Sequence, residues 1–170
     1  MRPLSSLLVT SPSKGHGLER DHDMVKASII IHDDNILLRK YLRMRIEADP
    51  SLSFIQESNN VLEYLDQLKD AIPDVIVMDV SLPELSGLDA AEIFKKLYPQ
   101  IKIVVLAMYS DQYYVHRANE IGVDGYVSIN EIMNINNVIK AVTQGKNYIS
   151  PCFKKKLFMN AMASTIMPFH

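Results

Sequence analysis

Pro73-Asp74-Val75-Ile76-Val77-Met78-Asp79 is the stretch on which the fold depends. Four consecutive apolar residues, three of them β-branched, are opened by a proline and closed by an aspartate. A run this short suits a strand buried on both faces, as in a parallel sheet, rather than a helix. Ser28-Ile29-Ile30-Ile31 has the same character and ends in His32-Asp33-Asp34-Asn35, and Ile101 to Leu106 is a third such run. Leu52 to Gln56 and Tyr126-Val127 are weaker strand candidates. Helical spacing fills the gaps. Leu38, Leu42 and Ile46 share one face before Pro50, and Val61, Leu62, Leu65 and Leu68 point inward from a second helix. Leu88 to Tyr98 ends at Pro99, Gln112 to Ile121 is closed by Gly122, and Glu131 to Gln144 is closed by Gly145. Five strands alternating with five helices imply βαβ crossovers. The expected fold is α/β, a doubly wound three-layer sandwich on a five-stranded parallel sheet.

The chain has 170 residues, enough for one domain with a sizeable core. Hydrophobic residues make up 48%, charged residues 22%, and the net charge is -2. That balance argues against direct nucleic-acid binding, which usually shows as a basic domain or stripe. The single cysteine, Cys152, excludes an internal disulfide and reads as a small apolar filler. No apolar run approaches the roughly 18 residues that would span a bilayer, so membrane insertion is not expected and a cytoplasmic location is. Residues 1–25 read as an irregular extension, residues 26–147 as the domain, and residues 148–170 as a tail with a short helix. The tail carries Phe153, Leu157 and Phe158 around Lys154-Lys155-Lys156.

In doubly wound sheets ligands bind outside the carboxyl ends of the strands, at the point where the strand order reverses. Asp33 and Asp34 follow the first strand and Asp79 ends the third. If the sheet is wound in the flavodoxin-like (βα)5 order, those strands are neighbours, and three carboxylates would converge in one shallow pocket and raise one another's pKa. A hard cation relieves the repulsion, and Mg²⁺ suits one or two carboxylates plus water. The plainer reading is that aspartate after a strand serves a turn, with Asp34 or Asn35 capping the next helix. His32 is expected to point away from the carboxylates because neighbours on a strand alternate faces.

Ile29-Ile30-Ile31-His32-Asp33-Asp34 resembles the first strand and acidic pair of response-regulator receivers. Val75 to Pro83 with Ser86-Gly87-Leu88 resembles their phosphoacceptor strand and following loop, and Val104 to Tyr109 their fourth strand. Ala118 with Gly122-Val123-Asp124-Gly125-Tyr126 is similar to the segment entering their fifth. Tyr148-Ile149-Ser150-Pro151 further resembles receivers that precede a helix-turn-helix domain of the NarL/LuxR type. The resemblance implies two-component phosphorelay signalling. Asp79 would be the phosphoacceptor for a histidine kinase. Mg²⁺ would be held by Asp34, Asp79 and the Ser81 backbone carbonyl, with Asp33 acting through water. Homodimers are the implied assembly. The chemistry is positioning plus neutralisation of charge on the transferring oxygens.

Two positions depart from that pattern. Ala107 stands where the family carries Thr or Ser, and Ile129 where it carries Lys; residues 126–139 contain no Lys or Arg. A methyl group cannot hydrogen-bond a phosphoryl oxygen, although Ser128 lies nearby. Tyr126 is the counterpart of the family's aromatic switch residue. The expectation is a degenerate receiver, not an enzyme beyond weak self-phosphorylation and dephosphorylation, acting as a protein-interaction module. The alternatives are an active Asp79 phosphoacceptor and the amino-terminal part of a DNA-binding regulator.

Overall fold

The computed structural model describes residues 26–68, 72–82, 85–108 and 112–155. The readings made for residues 1–25, for Pro83 and Tyr109, and for Leu157 and Phe158 lie outside these residues. The described chain runs β1 (Ala27–His32), α1 (Ile36–Glu47), β2 (Leu52–Ser58), α2 (Val61–Gln67), β3 (Val75–Asp79) and α3 (Gly87–Leu97). It continues with β4 (Lys102–Ala107), α4 (Gln112–Ile121), β5 (Gly125–Ser128), a 3₁₀ segment Ile129–Asn134, α5 (Ile135–Thr143) and β6 (Tyr148–Ile149).

All strand pairs are parallel, in the order β2-β1-β3-β4-β5-β6. The sheet therefore has six strands, not the expected five. Tyr148 and Ile149 pair with Gly125 and Tyr126, with the Tyr148 amide donating to the Asp124 carbonyl and the Ser150 amide to the Tyr126 carbonyl. Two residues are too few to show a strand period. The central strands are covered on both faces. Ile30, Ile76, Met78, Ile103 and Val105 pack with Tyr64 and Phe94 on one side. Ile29, Ile31, Val75, Val77, Val104 and Leu106 pack with Leu42, Ile46, Val138 and Val142 on the other. Each such side chain contributes about 1.5–3 kcal/mol when removed from water, so the two layers dominate the stability of the fold.

Three further expectations are corrected. Leu62 does not face inward but is 56% exposed, because α2 turns Val61, Tyr64 and Leu68 to the core. The final helix begins as a 3₁₀ turn: Ser128 caps that turn, and Arg45 donates to the Met133 carbonyl, so α5 starts only at Ile135. Cys152 is exposed rather than buried filler. In β2 the register shifts opposite Ile29 and Ile30, so that Ile55 is skipped, and this bulge breaks the alternation that would have marked the strand clearly.

Candidate functional site

Because β1 lies between β2 and β3, the chain reverses its winding direction there, and the carboxyl ends of β1 and β3 flank the resulting crevice. His32 pairs with Met78, so the residues that follow, Asp33 and Asp79, emerge side by side. Asp33, Asp34 and Asp79 each offer a carboxylate oxygen within 4.8 Å of the others. Asp34 is exposed, whereas Asp33 is only 1% exposed.

Local hydrogen bonds hold Asp33 in place. The Asn35 amide donates to its Oδ1 at 2.7 Å, and Arg39 Nη1 donates to its backbone carbonyl at 2.6 Å. Its Oδ2 is buried with no donor among the described residues. Burial, then the Asp79 and Asp34 charges, push the Asp33 carboxyl up to about 6, against the Asn35 amide and Arg39. Burial also raises Asp79, against the amides of Ser81 and Val80, with Asp34 adding to the rise. Asn35, not Asp34, caps α1: its side chain accepts from the Leu37 and Leu38 amides. The plain capping role thus falls to Asn35, which leaves the three carboxylates facing the crevice.

The loop after Asp79 returns tightly. The Gly87 amide donates to the Val80 carbonyl at 2.9 Å, and a Cβ on Gly87 would sit 1.9 Å from the Asp79 carbonyl oxygen. Only glycine allows α3 to begin this close to the acidic strand end. Ser86 caps the helix through the Asp89 amide.

The other wall is built differently. Ala107, at the end of β4, pairs with Ser128 and is buried. The Ser128 hydroxyl accepts from the Asn130 amide and caps the 3₁₀ segment. Met108, Ile129 and Ile132 line the cavity beside Leu106 and Ala107, and Leu37, Leu38 and Tyr41 line it from α1. The cavity is about 510 Å³. Tyr126 is buried away from it, its ring 5.1 Å from that of Phe153. His32 is fully buried between Tyr64 and Phe94 in the opposite layer, with burial bringing it down to about 4 against the Ser58 backbone.

Sequence reading thus placed Asp33, Asp34, Asp79, Ala107 and Ile129 around one cavity, with Ser81 in the exposed turn after β3. It missed Leu37, Tyr41, Met108 and Ile132 as lining residues, and read Leu38 only as part of a helix face. Their signal was positional, since each lies near the carboxyl edge of the sheet.

A family model, the response regulator receiver domain, matches residues 29–142. The chain belongs to the response-regulator receiver family. A transcriptional regulatory protein DegU from Brevibacillus brevis is 28% identical over 127 residues, covering 74% of this chain and 54% of that protein. The uncharacterized transcriptional regulatory protein YhcZ of Bacillus subtilis is 34% identical over 98 residues, covering 58% of this chain and 46% of its own. The chain spans about half the length of these curated relatives. A solved two-component response regulator of the LuxR family, from an Aurantimonas species, superposes with a TM-score of 0.75 at 24% identity, covering 81% of this chain and 99% of that one. The isolated receiver domain of RcsB from Salmonella enterica serovar Typhimurium superposes with a TM-score of 0.71 at 18% identity, covering 76% and 97%. These structural likenesses bear on the fold, which is the flavodoxin-like receiver fold of two-component systems. No helix among the described residues is long and apolar enough to cross a membrane.

Proposed function

We propose that this receiver keeps the acidic half of its pocket, has lost the half that reads phosphate, and works in the cytoplasm as a protein-interaction module of a two-component pathway. The carrying observation is the wall formed by Ala107 and Ile129, which offers the acidic crevice neither a hydroxyl nor a positive charge. Ser128 does not replace them, since it is not among the residues that line the cavity. Truncating one partner of a hydrogen-bonded charge pair typically costs about 2–5 kcal/mol at the site, so an acyl phosphate on Asp79 would be poorly held. A ligand moves a conformational equilibrium only by its differential affinity for the two states, and this wall supplies little of it.

The acidic half fits a hard divalent ion, given three converging carboxylates and the unsatisfied Oδ2 of Asp33. Asp34, Asp79 and the Ser81 carbonyl would hold Mg²⁺, with Asp33 acting through water. When bound, such an ion neutralises charge on phosphoryl oxygens. Asp79 would be the nucleophile, its carboxylate steadied by the Ser81 and Val80 amides. The partner is a histidine kinase or another signalling protein, and a second copy of the chain is a further candidate. The chain itself is not read as binding DNA. The naming of relatives as transcriptional regulators makes the amino-terminal part of a DNA-binding regulator the reading to adopt if a reading frame encoding a helix-turn-helix follows.

The test is treatment with phosphoramidate and Mg²⁺, followed by intact mass and sizing. The expected result is no lasting mass gain and no change of assembly. A stable gain that Asp79→Ala abolishes, with a matching change of oligomeric state, would establish the second reading, an active phosphoacceptor. That reading draws its support from the convergence of all three carboxylates.

A further inference from the structure

We propose that the cavity at the carboxyl edge of the sheet binds a small organic ammonium. In place of Mg²⁺, its charged head would lie on Asp33, Asp34 and Asp79, and its apolar body against the wall of Ala107, Ile129 and Ile132. This goes beyond the signalling reading. It rests on the same altered wall but not on whether Asp79 accepts a phosphoryl group.

Three observations converge. The first is Asp33 Oδ2, buried, without a donor among the described residues, and belonging to a residue that lines the cavity. Buried polar atoms are nearly always satisfied, and an unsatisfied carboxylate oxygen is a strong demand for a donor. The second is charge. Among the described residues that line the cavity there is no Lys, Arg or His, so none of them balances the three carboxylates. Arg39 lies beside the site, but its Nη1 is directed to the Asp33 backbone carbonyl.

The third is size and character. At about 510 Å³ the cavity is far larger than one hydrated ion needs, and falls in the range of about 300–1,000 Å³ typical of small-molecule sites. Its remaining walls are largely aliphatic. A hydrated divalent ion would answer the carboxylates and leave those walls wet. A primary ammonium presents three donors to the carboxylates, and an apolar body attached to it covers the wall. Receivers with lysine at position 129 would carry their own ammonium in this space; the isoleucine leaves the position for a ligand to supply one.

The probe is phenethylammonium, titrated into the full chain in the presence of a chelator and followed by proton–nitrogen correlation spectra. Methylammonium serves as the head alone and phenethyl alcohol as the body alone. Saturable shifts are expected at the amides of Asp33, Ala107 and Ile129, with phenethylammonium binding at least about tenfold more tightly than either control. Ile129→Lys and Asp79→Asn should each weaken it about tenfold while retaining a native spectrum. Should Ile129→Lys not fold, Ile132→Ser replaces it and should weaken phenethylammonium while leaving methylammonium unchanged. The proposal is overturned if no saturable shift appears at those amides at millimolar probe, if either control binds as tightly, or if the variants bind like the parent. The phosphoramidate assay reads a different event, so this inference and the signalling reading can fail separately.

Discussion

On the β1–β3 side the pocket presents Asp33, Asp34 and Asp79; on the β4–β5 side it presents Ala107, Met108, Ile129 and Ile132. The backbone makes no such distinction. Parallel register runs unbroken from Ile29–Val75 through Asp79–Leu106 to Ala107–Ser128, and each strand end is tied by ordinary hydrogen bonds. The two sides thus share one scaffold and differ in side-chain chemistry. On the proposed reading, aliphatic residues stand in place of a hydroxyl and an amine while the core and the sheet order are intact. Fold stability and phosphate chemistry would then be separable, because they reside on different atoms of the same strands.

The sharpest way to break that contrast is to rebuild the altered side. Ala107→Thr with Ile129→Lys should lengthen the lifetime of any phosphoryl adduct on Asp79 by well over about tenfold, as expected from returning roughly 2–5 kcal/mol of interaction. Adduct decay followed by mass spectrometry checks it, and an unchanged lifetime would mean that the acidic side is also impaired.

The acidic side is next. Gly87→Ala places a methyl carbon against the Asp79 carbonyl oxygen and should cost about 3 kcal/mol or displace the strand end. Denaturant unfolding measures the cost. Gly122→Ala is the control for a glycine with open space around it, strained only by its φ of 80°.

Proton linkage distinguishes the pocket from the layer behind it. The folded chain keeps a proton on Asp33 up to about pH 6, while an unfolded aspartate loses it near 3.8. Stability therefore falls as pH rises through that window. His32 behaves oppositely. Between 6.5 and about 4 the unfolded chain takes up a proton that the folded one refuses, so its contribution is lost as pH drops. The two slopes oppose one another in adjacent residues. Without divalent ions, Asp33→Asn should raise stability above pH 6 and should make the fall of stability with rising pH less steep, Asp79 still contributing to it. His32→Leu should leave it falling with pH. Thermal melts from pH 4 to 7 in a chelating buffer read both, and parallel slopes for the two variants would refute the assignment.

The smallest effect belongs to the cap. Ser128→Ala removes the acceptor for the Asn130 amide and should cost about 1 kcal/mol, visible as faster amide exchange in the 3₁₀ segment.

How much of this could be read beforehand followed from burial. β1, β3 and β4 are covered on both faces, so their sequences are continuous apolar runs and their ends are sharply marked by Asp33 and Asp79. Where long-range contacts override local pattern, reading failed. Arg45 reaches Met133 from α1, a contact no window around residue 131 contains. Tyr148 joins the sheet through hydrogen bonds with β5 and through Glu131, which accepts from both its hydroxyl and that of Ser150. The three carboxylates were legible because a topological rule brings them together. The aliphatic lining was not, since Leu38 and Ile132 satisfy helix periodicity and core packing equally well.

Residues 148–155 also have a mechanical meaning. β6 hangs from β5 by backbone hydrogen bonds, among them those donated by the Tyr148 and Ser150 amides, the Ser150 hydroxyl accepts from the Ser128 amide, and Phe153 is seated on Tyr126. These attachments lie in series with the aromatic position and with the cap of the 3₁₀ segment that carries Ile129 and Ile132 into the cavity wall. Tension applied at Lys155 would load Phe153 and Ser150 first, then Tyr126 and Ser128, and only afterwards the central strands. The short sixth strand is thus a coupling link, through which a pull on the carboxyl-terminal side is felt at the aliphatic wall before it is felt at Asp79.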